Sequence, residues 1–473
     1  MRRAVTNPRS AFLAAAFIAC LWCNQGPSAR RYAALASASA EDPGTHTLLR
    51  AWLPVAFLYR RSADEELYFA VANAIRGAPY DREVLLQKRG ESSPAFRRMP
   101  DADGHFHAPY AEVPFEYPAL VLPFILVPAA FAPSFDVFAP LFGALMGALL
   151  LLALHLAIDS VPSRNDGERA AMWLGGGALV LAQGGLAIQR LDAIATLFLA
   201  LALWGAARRK PALMGFAIAL AAAVKITPIL ILVPLSAALP ETWRTRRAFL
   251  AVLAGAAAGL AAGFLPMLVV SPRGFGEFLA YHAARGLQIE STYGTVLSIA
   301  RSLGGTPTPA TLSFGSYNLG GPVAAWLAEA SSWILLAATV AFAVQVGRAA
   351  RAAAADARGR ELFAVAALGG AVCIWLFGKV FSPQYLTWGI PLAVGFSARR
   401  IPIALGASMA IAQTYLRGFY DQVVGMRPLG VTALTLRTAA LLVLAVALWQ
   451  LIARAIGDGE RARAADARRA TPS

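Results

Sequence analysis

From Phe135 onward the chain is a series of apolar segments joined by short hydrophilic links, and no other feature limits its fold as strongly. The segments lie near 137–158, 170–188, 191–206, 212–224, 226–240, 248–271, 322–346, 361–378, 384–397, 401–417 and 431–454. Several are shorter than the ~20 residues a simple membrane span needs. Such pieces must pack inside a bundle, or tilt and break there, because lipid offers no partner to an unsatisfied backbone group. Only 15% of the 473 residues are charged and 58% are hydrophobic, whereas soluble domains carry about 25% charged residues. The chain therefore reads as one all-α, polytopic integral membrane protein, not a string of soluble domains.

The net charge of +15 belongs to the same pattern. Arg208-Arg209-Lys210, Arg244 to Arg247, Arg348 to Arg360, Arg399-Arg400 and Arg461 to Arg469 sit between apolar segments, as expected for cytoplasmic links. No basic stripe with interleaved aromatics marks a nucleic-acid partner. Alternation then places Arg190 with Asp192, Lys225, the 272–321 loop and Phe381 to Tyr385 on the opposite, outer face. The run Tyr117 to Pro133, broken by four prolines, is expected to be juxtamembrane or re-entrant and not to cross. Cys20, Cys23 and Cys373 cannot form a disulfide framework. The N-terminal 1–60 holds two candidate first spans, Ala11 to Cys23 and Leu48 to Tyr59, and the first also resembles a signal-peptide core. An uncleaved anchor is expected there. The remaining divisions are a first outer loop with juxtamembrane helix over 61–136, core helices over 137–271, an outer loop over 272–321, further membrane helices over 322–455 and a basic tail over 456–473.

Acids concentrate between Ser62 and Pro123, at one edge of this apolar protein. Asp64 comes just after the first hydrophobic region, with Tyr68 one helical turn on. A carboxylate there suits a general base, and it equally suits a helix N-terminus, where acids are favoured. Gly77-Ala-Pro-Tyr80-Asp81 reads as a turn. Phe115-Glu116-Tyr117-Pro118 opens an apolar run, and Glu116 reads either as a supporting acid or as a helix cap.

Other polar residues interrupt the apolar series. Lys225 breaks the stretch Ala212 to Leu239, which makes it a functional candidate by default. It suits a phosphate as a point charge, or it snorkels to the interface. Gln189-Arg190-Leu191-Asp192 reads as a substrate contact or an intramembrane ion pair. In the loop, Tyr281-His282 and Arg285-Gly-Leu-Gln-Ile-Glu-Ser-Thr-Tyr293 place His282 and Arg285 one turn apart, so both can face one anion or merely solvate a loop. Ser382-Pro-Gln384-Tyr385 with Trp388 suits sugar stacking or an interfacial aromatic belt. Asp101-x-Asp103-x-His105-x-His107 has metal-like residue types without a complete calcium-loop pattern, so no metal site is assigned and no cofactor is expected.

Taken in order, Asp64-x-x-x-Tyr68, Gly77-x-Pro-Tyr80, Glu116-Tyr-Pro118, Lys225-x-Thr-Pro228 and Ser382-Pro-Gln-Tyr-Leu386 resemble the GT-C membrane glycosyltransferases of family 87, the polyprenyl-phosphate-mannose-dependent mannosyltransferases of bacterial envelopes. The resemblance implies a GT-C bundle of about 12 transmembrane helices in the bacterial plasma membrane, with its active site facing the periplasm or exterior. It implies that Asp64 is the catalytic base, that the donor sugar arrives on a polyprenyl phosphate, and that the anomeric centre inverts. Three departures stand out, one being that the first span is displaced from Asp64. The family's usual Glu-Tyr-Pro-Pro has Ala119 as its last residue here, and Arg82 to Ala111 looks like an insertion.

The expected function is transfer of a hexose, mannose by resemblance, to an envelope glycolipid or polysaccharide acceptor. Asp64 takes the acceptor proton, with Glu116 or Asp81 as alternative acids, while Lys225, Arg285 and His282 neutralise the departing phosphate. Tyr68, Tyr117, Arg190, Asp192, Ser382, Gln384 and Tyr385 are expected to line the substrate cavity. Asp64, Lys225, Arg285 and Ser382 should converge on one outer-face cavity open to lipid. The rival classes are a transporter or lipid flippase, which usually shows internal repeats that are absent here, and an O-antigen ligase or polymerase, which would favour a larger late outer loop.

Overall fold

A computed structural model describes residues 62–82, 99–161, 165–239, 245–305, 308–352, 357–396 and 398–470. Both candidate first spans, Cys20, Cys23 and most of the apparent insertion lie outside these residues. Among the described residues the first helix is α1 (Ala63–Ile75), whose first turn carries Asp64, Glu65 and Glu66. A 3-10 turn (Ala119–Val121) then leads into α2 (Leu122–Ala130). Together they form a 12-residue apolar stretch, about 18 Å long at 1.5 Å per residue, too short to cross the ~30 Å of a bilayer core.

The helices then run back and forth: α3 (Phe135–Ser160), α4 (Asp166–Gln183), α5 (Asp192–Ala207), α6 (Pro211–Ala222), a 3-10 turn (Thr227–Ile231) into α7 (Leu232–Ala237), and α8 (Arg246–Val270). After the 272–321 region come α11 (Pro322–Ala352), α12 (Ala357–Phe377), a 3-10 turn (Pro383–Trp388) into α13 (Gly389–Ala393), α14 (Arg400–Gly418), α15 (Tyr420–Val424) and α16 (Pro428–Ala470). Among the described residues, five helices are long and apolar enough to span a membrane: α3, α4 with the turn after it, α8, α11 and α16. Shorter apolar helices fill the space between them, which makes this a polytopic membrane protein. Leu253, Leu260, Trp333, Val340 and Val443 project outward from the long helices as exposed apolar side chains, and lipid is the solvent that accommodates such a surface.

The short helices matter most to the site. α5 and α6 have 16 and 12 residues, hence only about 24 and 18 Å of length. They are joined through Arg208, Arg209 and Lys210, so the start of α5 and the end of α6 lie together at the opposite end of this short helix pair. Asp192 starts α5 there, and Lys225 lies just past the C-cap of α6, Ala223. Contact between α6 and α8 is backbone to backbone. A Cβ on Gly255 would lie 1.9 Å from the Ala212 carbonyl oxygen, and one on Gly215 would lie 2.1 Å from that of Val252, so only glycine permits this approach.

The 272–321 region departs from an all-helical description. It contains α9 (Pro272–Ala284), β1 (Leu287–Gln288), α10 (Thr292–Ser302), β2 (Ala310–Ser313) and β3 (Ser316–Leu319). The strands form a small antiparallel sheet in the order β1-β3-β2, with Leu287 opposite Leu319 and Gln288 opposite Asn318. Strands this short carry no periodicity that a sequence pattern can register.

Candidate functional site

Ser62 caps α1 by accepting the Asp64 backbone N–H at 3.3 Å, and the Glu65 carboxyl reaches back to the Ser62 backbone N–H. This is a capping box, with serine at N-cap and glutamate at N3. The two neighbouring acids thus have different positions. Glu65 is buried, one of its carboxyl oxygens has no hydrogen-bond partner, and burial pushes its pKa up to about 8 against the pull of Arg190 and Arg417. Asp64 instead faces outward from the turn and pairs with Arg190 Nε at 3.0 Å. Arg190 also donates to the Ser62 hydroxyl, so one guanidinium holds both the cap and the carboxylate.

Arg190 and Asp192 do not pair with each other. The Lys225 ammonium lies 3.3 Å from Asp192 Oδ2, and Trp388 Nε1 donates to Asp192 Oδ1 at 3.0 Å. The segment 189–192 is therefore a crossbar with two ion pairs, one to the start of α1 and one to the end of α6. Two aromatic rings enclose Lys225 further. Its Nζ stands 5.5 Å from the Tyr117 ring centroid and 4.6 Å from that of Tyr385, within cation–π range.

Next to this crossbar is a cavity of about 240 Å³ whose lining includes Glu116, Tyr117, Lys225, His282, Arg285 and Lys379. It also takes in Tyr281 and Tyr385, the α11 residues Ser331, Ser332 and Leu335, and apolar side chains including Phe278 and Ile374. Tyr281 donates its hydroxyl to Glu116 Oε2 at 2.6 Å. His282 Nε2 lies 3.1 Å from the Glu116 carbonyl oxygen, which can only accept, so Nε2 carries the proton. Burial against Phe278 and Tyr281 pushes His282 down to about 4, with Arg285 adding to the effect. Without an anion beside it the imidazole therefore favours its neutral form.

Arg285 caps α9 and donates to Ser316 Oγ at 3.2 Å, but its Nε has no hydrogen-bond partner. Among the described residues no carboxylate lies within ion-pairing distance of it. Lys379 donates to the Ala283 carbonyl at 3.0 Å, and burial together with Arg285 lowers its pKa. Lys379 is not among the residues that the sequence pattern singles out. The cue that identifies Lys225, a lysine where an apolar segment ends, is nonetheless present just before Ser382.

Lys225, Arg285, His282, Glu116, Tyr117 and Tyr385 thus share one cavity, while Asp64 and Ser382 do not line it. The expected four-way convergence is corrected on those two points. Tyr68, fully buried, packs edge-on against Tyr117 at 5.9 Å and brings its hydroxyl within 3.4 Å of the Tyr117 hydroxyl. Tyr117 lines the cavity and Tyr68 lies one turn after Asp64 on α1, so this tyrosine pair connects the Asp64 side to the cavity. Ser382 turns away to receive Gln288 Nε2 at 3.4 Å, and Gln384 is likewise not a lining residue. Asp81 is exposed beyond the far end of α1, about 16 Å of helix from Asp64.

Asp103 accepts from His107 Nε2 at 3.0 Å, and among the described residues no three His, Cys, Asp or Glu side chains are grouped to hold a metal ion. The arrangement offers a half-buried anion site, with one carboxylate inside it and a second behind a pair of tyrosines. A search among curated proteins returned no match. The family model described as glycosyltransferase family 87 matches residues 115–383, a stretch that contains all the cavity-lining residues except Tyr385.

Proposed function

The chain belongs to glycosyltransferase family 87, and from that premise we propose that it moves a hexose, mannose by family resemblance, from a polyprenyl phosphate to an envelope glycolipid or polysaccharide. Transfer takes place at the outer face of the bacterial plasma membrane, opposite the Arg-rich links. Arg285 is the observation that carries this proposal. It is a cavity-lining guanidinium with an unpartnered Nε and, among the described residues, no carboxylate within ion-pairing distance. Such a group is costly to bury unless a ligand supplies the anion.

Charge supports a phosphodiester. Lys225, Arg285 and Lys379 bring three positive charges, Glu116 lines the same cavity, and Asp192 is already paired with Lys225. One positive charge is left over, matching the single negative charge of a sugar–phosphate–lipid diester. Arg285 and Lys379 stabilise the phosphate as the sugar carbon leaves it, and Lys225 contributes from within its ion pair. The leaving phosphate needs little protonation, so one base suffices and the displacement inverts.

Asp64 accepts the proton of the acceptor hydroxyl. In the structure it is engaged by Arg190 and screened from the cavity by Tyr68 and Tyr117. The acceptor therefore reaches it by displacing the contact between the tyrosine hydroxyls. No divalent metal takes part, because side chains meet the phosphate charge.

The test is sugar transfer in membranes supplied with radiolabelled polyprenyl-phosphate-mannose, with and without EDTA. Asp64→Asn should lower transfer by about 10²–10⁴-fold at unchanged expression, and EDTA should leave the wild type within twofold. Intact transfer in Asp64→Asn would remove Asp64 as base in favour of Glu116. No transfer by wild type would refute the donor assignment.

A further inference from the structure

Behind the cavity lies a second polar cluster that the proposed chemistry does not use. Its centre is Glu290, 3% exposed, in the tight turn between β1 and α10. The turn is fixed by the Ser291 N–H bonding the Gln288 carbonyl at 3.0 Å and by Ser291 capping α10 through Gly294 N at 3.0 Å. Glu290 accepts from Tyr415 at 3.1 Å, from Tyr420 at 3.3 Å and from Gln288 Nε2 at 2.9 Å. All three partners are donors, which only an acceptor can satisfy. Burial raises the carboxyl to about 7, while Arg437 and the three donors pull it back.

Gln288 is the connection to the cavity. Its side-chain amide gives one bond to Glu290 and another to Ser382 Oγ at 3.4 Å. Its backbone N–H donates to the Lys379 carbonyl at 3.0 Å. Gly378, Lys379 and Val380 line the cavity, whereas Phe381 turns back and lies under Arg437 at 4.4 Å. Gln288 also sits three residues after Arg285, on the strand that leaves α9.

We propose that Glu290 is a positioning residue: acting through Gln288, it fixes the turn that carries Lys379 and the strand just after Arg285, and so sets the spacing of the two cations that take the lipid phosphate. Tyr415 of α14 and Tyr420 of α15 anchor Glu290 from the far side of the bundle. The cation pair is thereby referenced to helices that do not line the cavity. This inference rests on the cavity being a lipid-phosphate site.

The test uses purified full-length protein and farnesyl phosphate as probe, with farnesol as the uncharged control. Lys379→Ala and Glu290→Gln should each weaken farnesyl phosphate binding by about tenfold, the scale of one charge-assisted hydrogen bond, and leave farnesol binding unchanged. The double variant should bind within twofold of Lys379→Ala alone, because residues acting through one another are not additive. Losses that multiply, or a Glu290→Gln protein that binds like wild type, would overturn the positioning role. Should Glu290→Gln fail to fold, Gln288→Ala reads the same connection with the same expected outcome. A wild type that prefers the phosphate no more than the alcohol would instead refute the lipid-phosphate site itself, and the positioning role with it.

Discussion

Two ends of one site handle charge in opposite ways. On the α1 side Asp64 is matched with Arg190, and Asp192 with Lys225. On the α9 side Arg285 lines the cavity with no carboxylate within ion-pairing distance among the described residues, and Lys379 lines it too, its ammonium on a backbone carbonyl. A matched buried pair tolerates an apolar environment by itself, whereas an unmatched cation there requires a ligand. Under the proposed chemistry the paired side holds the base and the unpaired side receives the anion.

That contrast can be broken by mutation. The largest effect beyond loss of the base itself is expected for Arg285→Ala, which should lower transfer by about 10²-fold or more, since preorganised charge at a leaving group is worth this much. Arg285→Lys should recover only part of it, because the guanidinium fork is lost. Donor-concentration series in membranes would read both. Equal transfer by wild type and Arg285→Ala would mean that Lys225 holds the phosphate and that the paired end is the active one.

The next effect concerns stability. Asp192→Asn strands Lys225 in an apolar setting and should destabilise the protein by about 3–5 kcal/mol. Asp192→Asn with Lys225→Met should regain most of that in a detergent-melting assay while remaining poor in transfer. If the single variant melts like wild type, the pair is not what keeps Lys225 buried.

The smallest effect is a pH dependence. Folding depresses His282 from the ordinary histidine value of 6.5 to about 4. Its neutral form therefore adds stability above pH 6.5 that is lost as pH falls toward 4, on the order of 3 kcal/mol in total. His282→Gln should flatten that acid limb of the melting curve. An unchanged limb would mean that His282 binds its proton as readily in the folded as in the unfolded state.

The membrane architecture was largely legible in the chain. Segment 191–206 is α5 at Asp192–Ala207, 401–417 is α14 at Arg400–Gly418, and 248–271 is α8 at Arg246–Val270. The sheet at 287–319 was not legible, because two- and four-residue strands leave no pattern. Within the site, Lys225, Glu116 and Tyr117 were legible as polar residues at the edges of apolar runs, and Arg285 as a loop cation one turn from His282. Lys379 carries the same cue. Glu290 lies in the stretch Arg285 to Tyr293, where no local pattern distinguishes it from a solvated loop acid.

Local composition was enough to settle which segments are apolar enough for lipid, which links are basic, and which ionisable residues interrupt them. Hydrophobic transfer and helix geometry act over a few turns, so they can be read from neighbouring residues. The partners of those residues came from the packed fold. Arg190 and Asp192 are close in sequence, yet one pairs with Asp64 and the other with Lys225, and Arg285 lines the cavity with an unpartnered Nε. Those outcomes depend on which helix ends are brought to the same depth in the bundle, which is set by packing between segments far apart in the chain.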